Sequence, residues 1–273
     1  LHGSAAYRRP GSAGVKIAFI GHMPRWETMT SAEIGAHVGA GRDLAILPVG
    51  ATEQHGAHLA TGTDTISAEE VAVRAAAEVG CLVLPALPYG CSLGHTHKWP
   101  GTISLHPTTL TLVVVEIARW AVQSGVRRLL FLSGHATNGP SLASAILQLR
   151  YELPEARFAQ MALWDISARA RGLYLRDGED IHANRGETSV LLCARPDMVR
   201  MAEARDVDDV TPGLFWSYPM PRTTESGVVG RPTEASAEDG RLMIETMVAD
   251  LAERLRQAAA EPWPEVALPH EAK

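Results

Sequence analysis

Leu44-Ala45-Ile46-Leu47-Pro48-Val49-Gly50-Ala51-Thr52-Glu53-Gln54-His55-Gly56-Ala57-His58-Leu59-Ala60-Thr61-Gly62-Thr63-Asp64 is the stretch around which the rest of the chain is read. Its first six residues form an apolar run closed by Gly50, the pattern of a short buried strand. Glu53, His55, His58 and Asp64 then follow within one loop. In extended backbone Glu53 and His55, two apart, point to the same side. The glycines let the chain turn back, and Asp64 is expected as the cap of the next helix. Carboxylate oxygens and imidazole nitrogens suit a borderline divalent ion such as zinc or manganese. Alone, Asp64 would be an ordinary cap and each His–Glu neighbour a solvated pair; four such groups directly after a buried strand point to a metal site.

Working outward, Thr30 and the early acid Glu33 open a helix that stops near Gly39 and Gly41. A helix from Asp64 to about Val79 ends at Gly80, and Cys81–Leu84 reads as a strand broken off by prolines. The loop from Tyr89 to Thr102 is rich in Gly, His and Trp. Pro107 starts a helix with apolar positions at helical spacing, ended by Gly125. Leu129–Leu132 is a strand running into Ser133–Gly139 and a helix to about Tyr151. Phe158–Leu163 is a further strand, leading to Trp164 and Asp165. A last helix covers about Ala237 to Ala260. Strands alternating with helices over short links predict an α/β layered sandwich with a mainly parallel central sheet flanked by helices. Functional residues should then gather beyond the carboxyl ends of the strands.

Composition narrows the class. At 273 residues, 46% hydrophobic and 21% charged, the chain has the make-up of an ordinary globular protein. A formal net charge of −6 without a basic block gives no footprint for nucleic acid. No apolar run reaches the length of a membrane span. The three cysteines form neither a disulfide framework nor a CxxC pair, which points to a reducing, cytoplasmic setting. Residues 1–22 are expected to be a loose extension or cloning remnant, residues 23–262 one hydrolase domain, and residues 263–273 a tail. Gly134–Gly139 could suggest a phosphate loop, but it lacks the P-loop Lys and the GxGxxG pattern.

Two further pieces complete the inventory. His135 sits in a Gly-flanked turn after a strand, and His182 precedes Glu187-Thr188-Ser189 at the head of an apolar helix. Pro48–Gly56 with Asp64, Trp99-Pro100-Gly101-Thr102-Ile103-Ser104, Ser133–Asn138, and His182 with Glu187–Ser189 stand in order along the chain. Together these four motifs resemble the creatininase (creatinine amidohydrolase) family.

The resemblance implies two divalent ions per chain, zinc first, with manganese or iron as alternatives. Asp64 would bridge them, Glu53 and His135 would hold one, and His55 the other. Creatininase has a ligand Glu two residues past the His135 equivalent, where this chain has Thr137; Glu187 is the candidate for the missing carboxylate. It also has a Glu directly before the His182 equivalent, where this chain has Ile181. Both departures fall at the reacting centre and bear on the substrate rather than on the metal chemistry.

His182, with Glu187, is the expected catalytic pair, His182 protonating the leaving nitrogen. His97, Trp99, Thr137 and Trp164 are the expected substrate contacts, with His58 and Trp216 as further candidates. The loops Cys91–Lys98 and Thr211–Arg231 are expected to shape the pocket. The implied activity is hydrolysis of a non-peptide C–N bond in a cyclic or other small amide. Alternatives are a deformylase or a peptidase acting on a cofactor precursor, or a metal-binding assembly subunit without turnover. Homo-oligomers, hexamers in particular, are expected from the resemblance.

Overall fold

The structure, a computed structural model, describes residues 25–178 and 181–264; the expectation for residues 1–22, and that for most of the 263–273 tail, fall outside them. Among the described residues there are four strands: β1 (Leu44–Val49), β2 (Leu82–Val83), β3 (Arg128–Ser133) and β4 (Arg157–Ala162). They form a parallel sheet in the order β2-β1-β3-β4. The helices are α1 (Ser31–Gly39), α2 (Thr63–Val79), α3 (Pro107–Gln123), α4 (Gly139–Glu152), α5 (Ala168–Tyr174), α6 (Arg185–Ala194), α7 (Met220–Thr223) and α8 (Ala237–Ala260).

The layers follow from side-chain alternation along the strands. Leu44 and Ile46 of β1 pack with Leu130 and Leu132 of β3 against α2, α5, α6 and α8. Ala45, Leu47 and Val49 face the other way with Leu129 and Phe131, against α3 and α4. A central strand buried on both faces must be apolar throughout, which is why every β1 residue is buried. The expected α/β sandwich with a parallel sheet is what the chain adopts. Burial pushes the Cys81 thiol up to about 12, as befits a core thiol, whereas Cys193 is half-buried.

The topology fixes where a site can form. From β1 the chain crosses by α2 to β2, then returns by α3 past β1 to β3 on its other side. The carboxyl ends of β1 and β3, paired at Val49 and Ser133, are therefore the switch point at which a parallel sheet opens a crevice. Two glycines bring α2 into that crevice. A Cβ on Gly50 would lie 2.4 Å from the Thr65 Cα, and one on Gly134 would lie 2.1 Å from the Asp64 carbonyl oxygen. The first turn of α2 thus rests directly on both strand ends.

Asp64 departs from expectation in one respect. The N-cap of α2 is Gly62, and Asp64 stands inside the first turn. Its carboxylate is drawn to imidazoles across the crevice rather than folded back onto its own backbone. α5 is an addition, a seven-residue helix capped by the Ser167 side chain, which accepts from the Ala170 amide.

The close approach at Gly134 makes a stability prediction. Gly134→Ala meets backbone that cannot yield cheaply and should destabilise the metal-free protein by about 1–3 kcal/mol or more. Gly172→Ala, in α5 with nothing within 4 Å of the added methyl, should be stabilising by about 0.5–1 kcal/mol. Denaturant unfolding of both variants reads the contrast; equal effects would mean that the α2–β3 approach is not tight.

Candidate metal centre

Four elements deliver five polar side chains to the crevice. Glu53 and His55 come from the loop after β1, Asp64 from α2, His135 from the end of β3, and Glu187 from the first turn of α6. All five are buried. The Asn184 side chain caps α6 by accepting from the Glu187 amide at 3.0 Å, which fixes the start of that helix and the place of the carboxylate. His182 and His95 close the group: the His182 ring lies 4.4 Å from that of His55 and 4.5 Å from that of His95.

The donor atoms form two triads with a common member. Ligand atoms of Glu53, Asp64 and His135 lie within 4.8 Å of one another, and so do those of His55, Asp64 and Glu187. Asp64 faces both ways, with Oδ1 3.1 Å from His55 Nε2 and Oδ2 3.3 Å from His135 Nδ1. Glu53 Oε2 is 3.4 Å from His135 Nδ1, and Glu187 Oε1 is 3.8 Å from His55 Nε2. A third grouping, Glu53, His55 and His182, meets the same distance limit, so His182 stands within reach of the ligand atoms.

Hydrogen bonds set the imidazole tautomers. His55 Nδ1 donates to its neighbour's carbonyl, Glu53 O, at 3.1 Å, leaving Nε2 turned to the carboxylates. His135 Nε2 donates to the Cys91 carbonyl at 3.0 Å and to Thr137 Oγ1 at 2.6 Å, the hydroxyl itself donating to Cys91 O. Its Nδ1 lone pair then faces Glu53 and Asp64. His182 Nε2 donates to the Gln54 carbonyl at 2.7 Å, and Nδ1 looks toward Glu53 Oε2 at 3.6 Å. In each ring one nitrogen is pinned to a backbone carbonyl and the other is presented to the cluster, the usual arrangement of a ligand histidine.

Both oxygens of Glu53, His55 Nε2, Asp64 Oδ2 and Glu187 Oε2 are buried without a hydrogen-bond partner among the described residues. Such groups are costly to leave together unless a cation joins them. The donor set, carboxylates and imidazoles only, fits zinc or manganese. In the metal-free protein protons take that role. Burial alone would lower the His55 and His135 pKa values, but Asp64 and Glu187 outweigh it at His55, which stands well above its ordinary value, and Glu53 and Asp64 outweigh it at His135, which stands near 9. Burial raises Glu53 to about 7, with His135 pulling the other way. His182 and His95 move down through burial and the neighbouring imidazoles, His95 to about 3, so both are neutral rings.

The backbone around His182 is held under strain. Ala183 has φ 51° and is fully buried, a conformation that costs an L-residue about 1–2 kcal/mol. His182 and Val229 exchange both backbone hydrogen bonds, at 3.0 and 2.8 Å, which holds the ring position against that strain.

The structure separates the expected substrate contacts. Thr137 touches His135 as described. The Trp99 ring lies 6.3 Å from His95, and its Nε1 donates to the Glu225 carbonyl at 3.2 Å. His97 is exposed, on the outer side of its loop. Trp164 is half-buried and packs against the core beside Tyr174, ring centroids 5.6 Å apart. His58 is bonded to Thr188 Oγ1 at 3.0 Å, and burial lowers it to about 4.

Two residues that the sequence reading did not select belong to the centre. His95 Nε2 lies 3.3 Å from Glu53 Oε1. The Gln54 amide nitrogen contacts His95 Nδ1 at 2.9 Å and donates to the Gly227 carbonyl at 3.2 Å. Position in the Glu53-Gln54-His55 run was the available signal for Gln54; nothing in the sequence favoured His95 over His97.

Comparison with known proteins bears on this geometry. The family model described as "Creatininase: Creatinine amidohydrolase" matches residues 27–255. Creatinine amidohydrolase of Pseudomonas putida is 32% identical over 259 residues, 89% of this chain and 97% of that protein. A mycofactocin precursor peptide peptidase of Mycolicibacterium smegmatis is 34% identical over 226 residues, 78% of this chain and 85% of the peptidase. A solved creatinine amidohydrolase superposes with a TM-score of 0.77 at 32% identity, over 88% of this chain and 99% of that one. A zinc–zinc creatininase variant and a manganese creatininase superpose with TM-scores of 0.76 and 0.77, at 31% and 30% identity, each over 88% of this chain and all of theirs.

A ligand imidazole must give up its proton. Zinc titrated into metal-free protein at pH 7 should therefore release about two protons per chain, from His55 and His135, with a further fraction from Glu53. Both imidazoles carry raised pKa values, so the competition with protons weakens as pH rises from 7 through 9 and apparent affinity climbs. Calorimetry in buffers of different ionisation enthalpy measures the release. Binding without proton release would remove both histidines from the ligand set.

Proposed function

This chain belongs to the creatininase family, and we propose that it is a metal-dependent amidohydrolase whose two ions are held by Glu53, His55, Asp64, His135 and Glu187. The observation that carries this reading is the pair of buried triads sharing Asp64. Glu53 and His135 would hold one ion, His55 and Glu187 the other, and Asp64 both. Ions so held would supply an acidified water as nucleophile and polarise the amide carbonyl. The zinc–zinc and manganese creatininase structures support either metal, zinc being preferred here.

The chain's own groups divide the remaining work. His182 has one open nitrogen, Nδ1, because Nε2 is fixed on the Gln54 carbonyl. A proton passed to the leaving nitrogen would travel through Nδ1. Burial keeps this ring neutral, so it must collect that proton as the bond breaks rather than carry it beforehand. Gln54 and His95 position it: the Gln54 side chain contacts both rings and is braced on Gly227. Thr137 orients His135 and stands beside the cluster as a neutral hydroxyl.

For the substrate we propose a non-peptide C–N bond in a cyclic or small amide. The 34% identity to a mycofactocin precursor peptide peptidase favours a second reading, cleavage of a peptide-derived precursor. A homo-oligomeric assembly, with no nucleic-acid or membrane partner, completes the proposal; among the described residues no helix is long and apolar enough to cross a membrane.

Metal analysis of dialysed, reconstituted protein should find about two divalent ions per chain. Glu187→Gln should lose one of them and Thr137→Ala keep both; the reverse result would move the fifth ligand to position 137. Chelation should abolish amide hydrolysis and added zinc or manganese restore it.

Asp64→Asn should lower metal content and abolish turnover together. His182→Ala should keep its ions yet slow hydrolysis of a plain amide by about a hundredfold to ten-thousandfold. An anilide with a good leaving group should suffer much less. Equal losses on both substrates, with metal intact, would make His182 a substrate-positioning residue; lost metal would make it a ligand.

A further inference from the structure

A cleft of 570 Å³ opens beside the cluster, with Cys91, His95 and Thr137 among its lining residues. His95 lies 3.3 Å from Glu53, and Thr137 lies 2.6 Å from His135, so the floor of the cleft is continuous with the candidate ligands. Its walls are of a different chemistry. They are built by Leu93, Leu214, Phe215, Trp216, Tyr218 and Met220, with the hydroxyls of Thr211, Ser217 and Thr223 between them, and no Asp, Glu, Lys or Arg is among the described lining residues. Phe215 and Trp216 meet edge-on at 4.9 Å and expose 87% and 71% of their surface.

Aromatic surface left this open beside a buried polar cluster marks a place where a ligand completes the packing. The end of the segment carrying it is tied to the loop that carries His95: Trp99 Nε1 donates to the Glu225 carbonyl at 3.2 Å and Lys98 Nζ to the Thr224 carbonyl at 3.3 Å. The volume suits a ligand well beyond a bare small amide, since sites of roughly 300–1,000 Å³ hold molecules of drug size. A charged substituent would give up hydration there without meeting an oppositely charged partner among the described lining residues.

We propose that the substrate carries, next to the scissile amide, a large uncharged apolar or aromatic group that seats between Leu93 and the Leu214–Met220 segment. This rests on the amidohydrolase reading of the cluster and adds the substrate class. Phe215 and Trp216 are the specificity-determining residues, and a carboxylate on the seated group is selected against. The reaction remains simple hydrolysis: water adds to the carbonyl, the C–N bond breaks, and an acid and an amine or ammonia leave.

Two measurements on the metal-loaded full chain test this. Hydrolysis is compared for acetamide, phenylacetamide and phenylacetamide with a para-carboxylate. Binding is compared for the corresponding ketones, acetone, phenylacetone and its para-carboxylate, which have no bond to hydrolyse. Phenylacetamide should exceed acetamide by at least about tenfold in kcat/KM, and phenylacetone should bind at least about tenfold tighter than acetone. The carboxylates should forfeit that gain, and the F215A/W216A variant should lose the preference in both measurements. Both side chains are mostly exposed, so their removal leaves the core intact. Equal binding of acetone and phenylacetone, or a preference unchanged in F215A/W216A, overturns the seat even if amides are hydrolysed. A preference lost in the variant, with no amide hydrolysed at all, keeps the seat and overturns the amidohydrolase reading instead.

Discussion

Three carboxylates and two imidazole lone pairs, brought together out of water, repel one another until positive charge is placed between them. That constraint governs the rest of the molecule. Burying an uncompensated carboxylate costs several kcal/mol, so the fold must supply compensation from the backbone as well as from a cation. It does so at two helix starts: Asp64 stands in the first turn of α2 and Glu187 in the first turn of α6. There the unpaired amides and the helix dipole favour negative charge. Glu53 has no helix behind it, and its burial raises its pKa to about 7, whereas the imidazoles of His55 and His135 hold Asp64 below its ordinary value against the same burial. Of these two, Glu53 is the one that depends more on a cation.

The sheet topology makes this convergence possible. Glu53 and His55 follow β1, His135 follows β3, and the two strands are neighbours although the chain visits β2 between them. A residue pair separated by 80 positions in sequence is thus brought to one crevice by strand order alone. Gly50 and Gly134 then remove the bulk that would hold α2 away, which lets Asp64 reach imidazoles delivered from both strands. Fold and site are consequently one problem: loosening the α2–β3 contact would weaken packing and separate the two triads together.

Much of this was legible in the sequence, for identifiable physical reasons. β1 announces itself because a strand buried on both faces must be apolar at every position. The acids and histidines of the centre stand at ends of regular elements, where periodicity stops and chemistry-bearing residues stand out. What escaped lies where local pattern carries no direction. His95 and His97 are two apart in one glycine-containing loop, yet the turn at Leu93–His95 buries the first and exposes the second. Trp164 looked like a pocket wall, but an aromatic just past a strand serves equally well as core, and Tyr174 of α5 provides its partner. α5 itself is too short for an amphipathic period to be read. Asp64 resembled a cap because capping and ligation call for the same residue at nearly the same place; only the position of the imidazoles decides between them.

Thr137 and Glu187 connect the metal reading to the shape of the cleft. Thr137 lines the cleft next to His135. Its hydroxyl orients His135 through a 2.6 Å hydrogen bond and adds no charge. The third carboxylate enters instead from α6, behind His55, where the Asn184 cap fixes its helix and the cleft does not reach it. On the proposed reading, the charge that would hold two ions therefore lies on the protein's side of the cluster. A neutral floor at Thr137 then continues into the uncharged aromatic wall of Leu214–Met220. On the proposed reading, such a floor suits an apolar neighbour to the amide better than the polar ring of creatinine, and Thr137 would bear on which amide approaches without entering the ligand set.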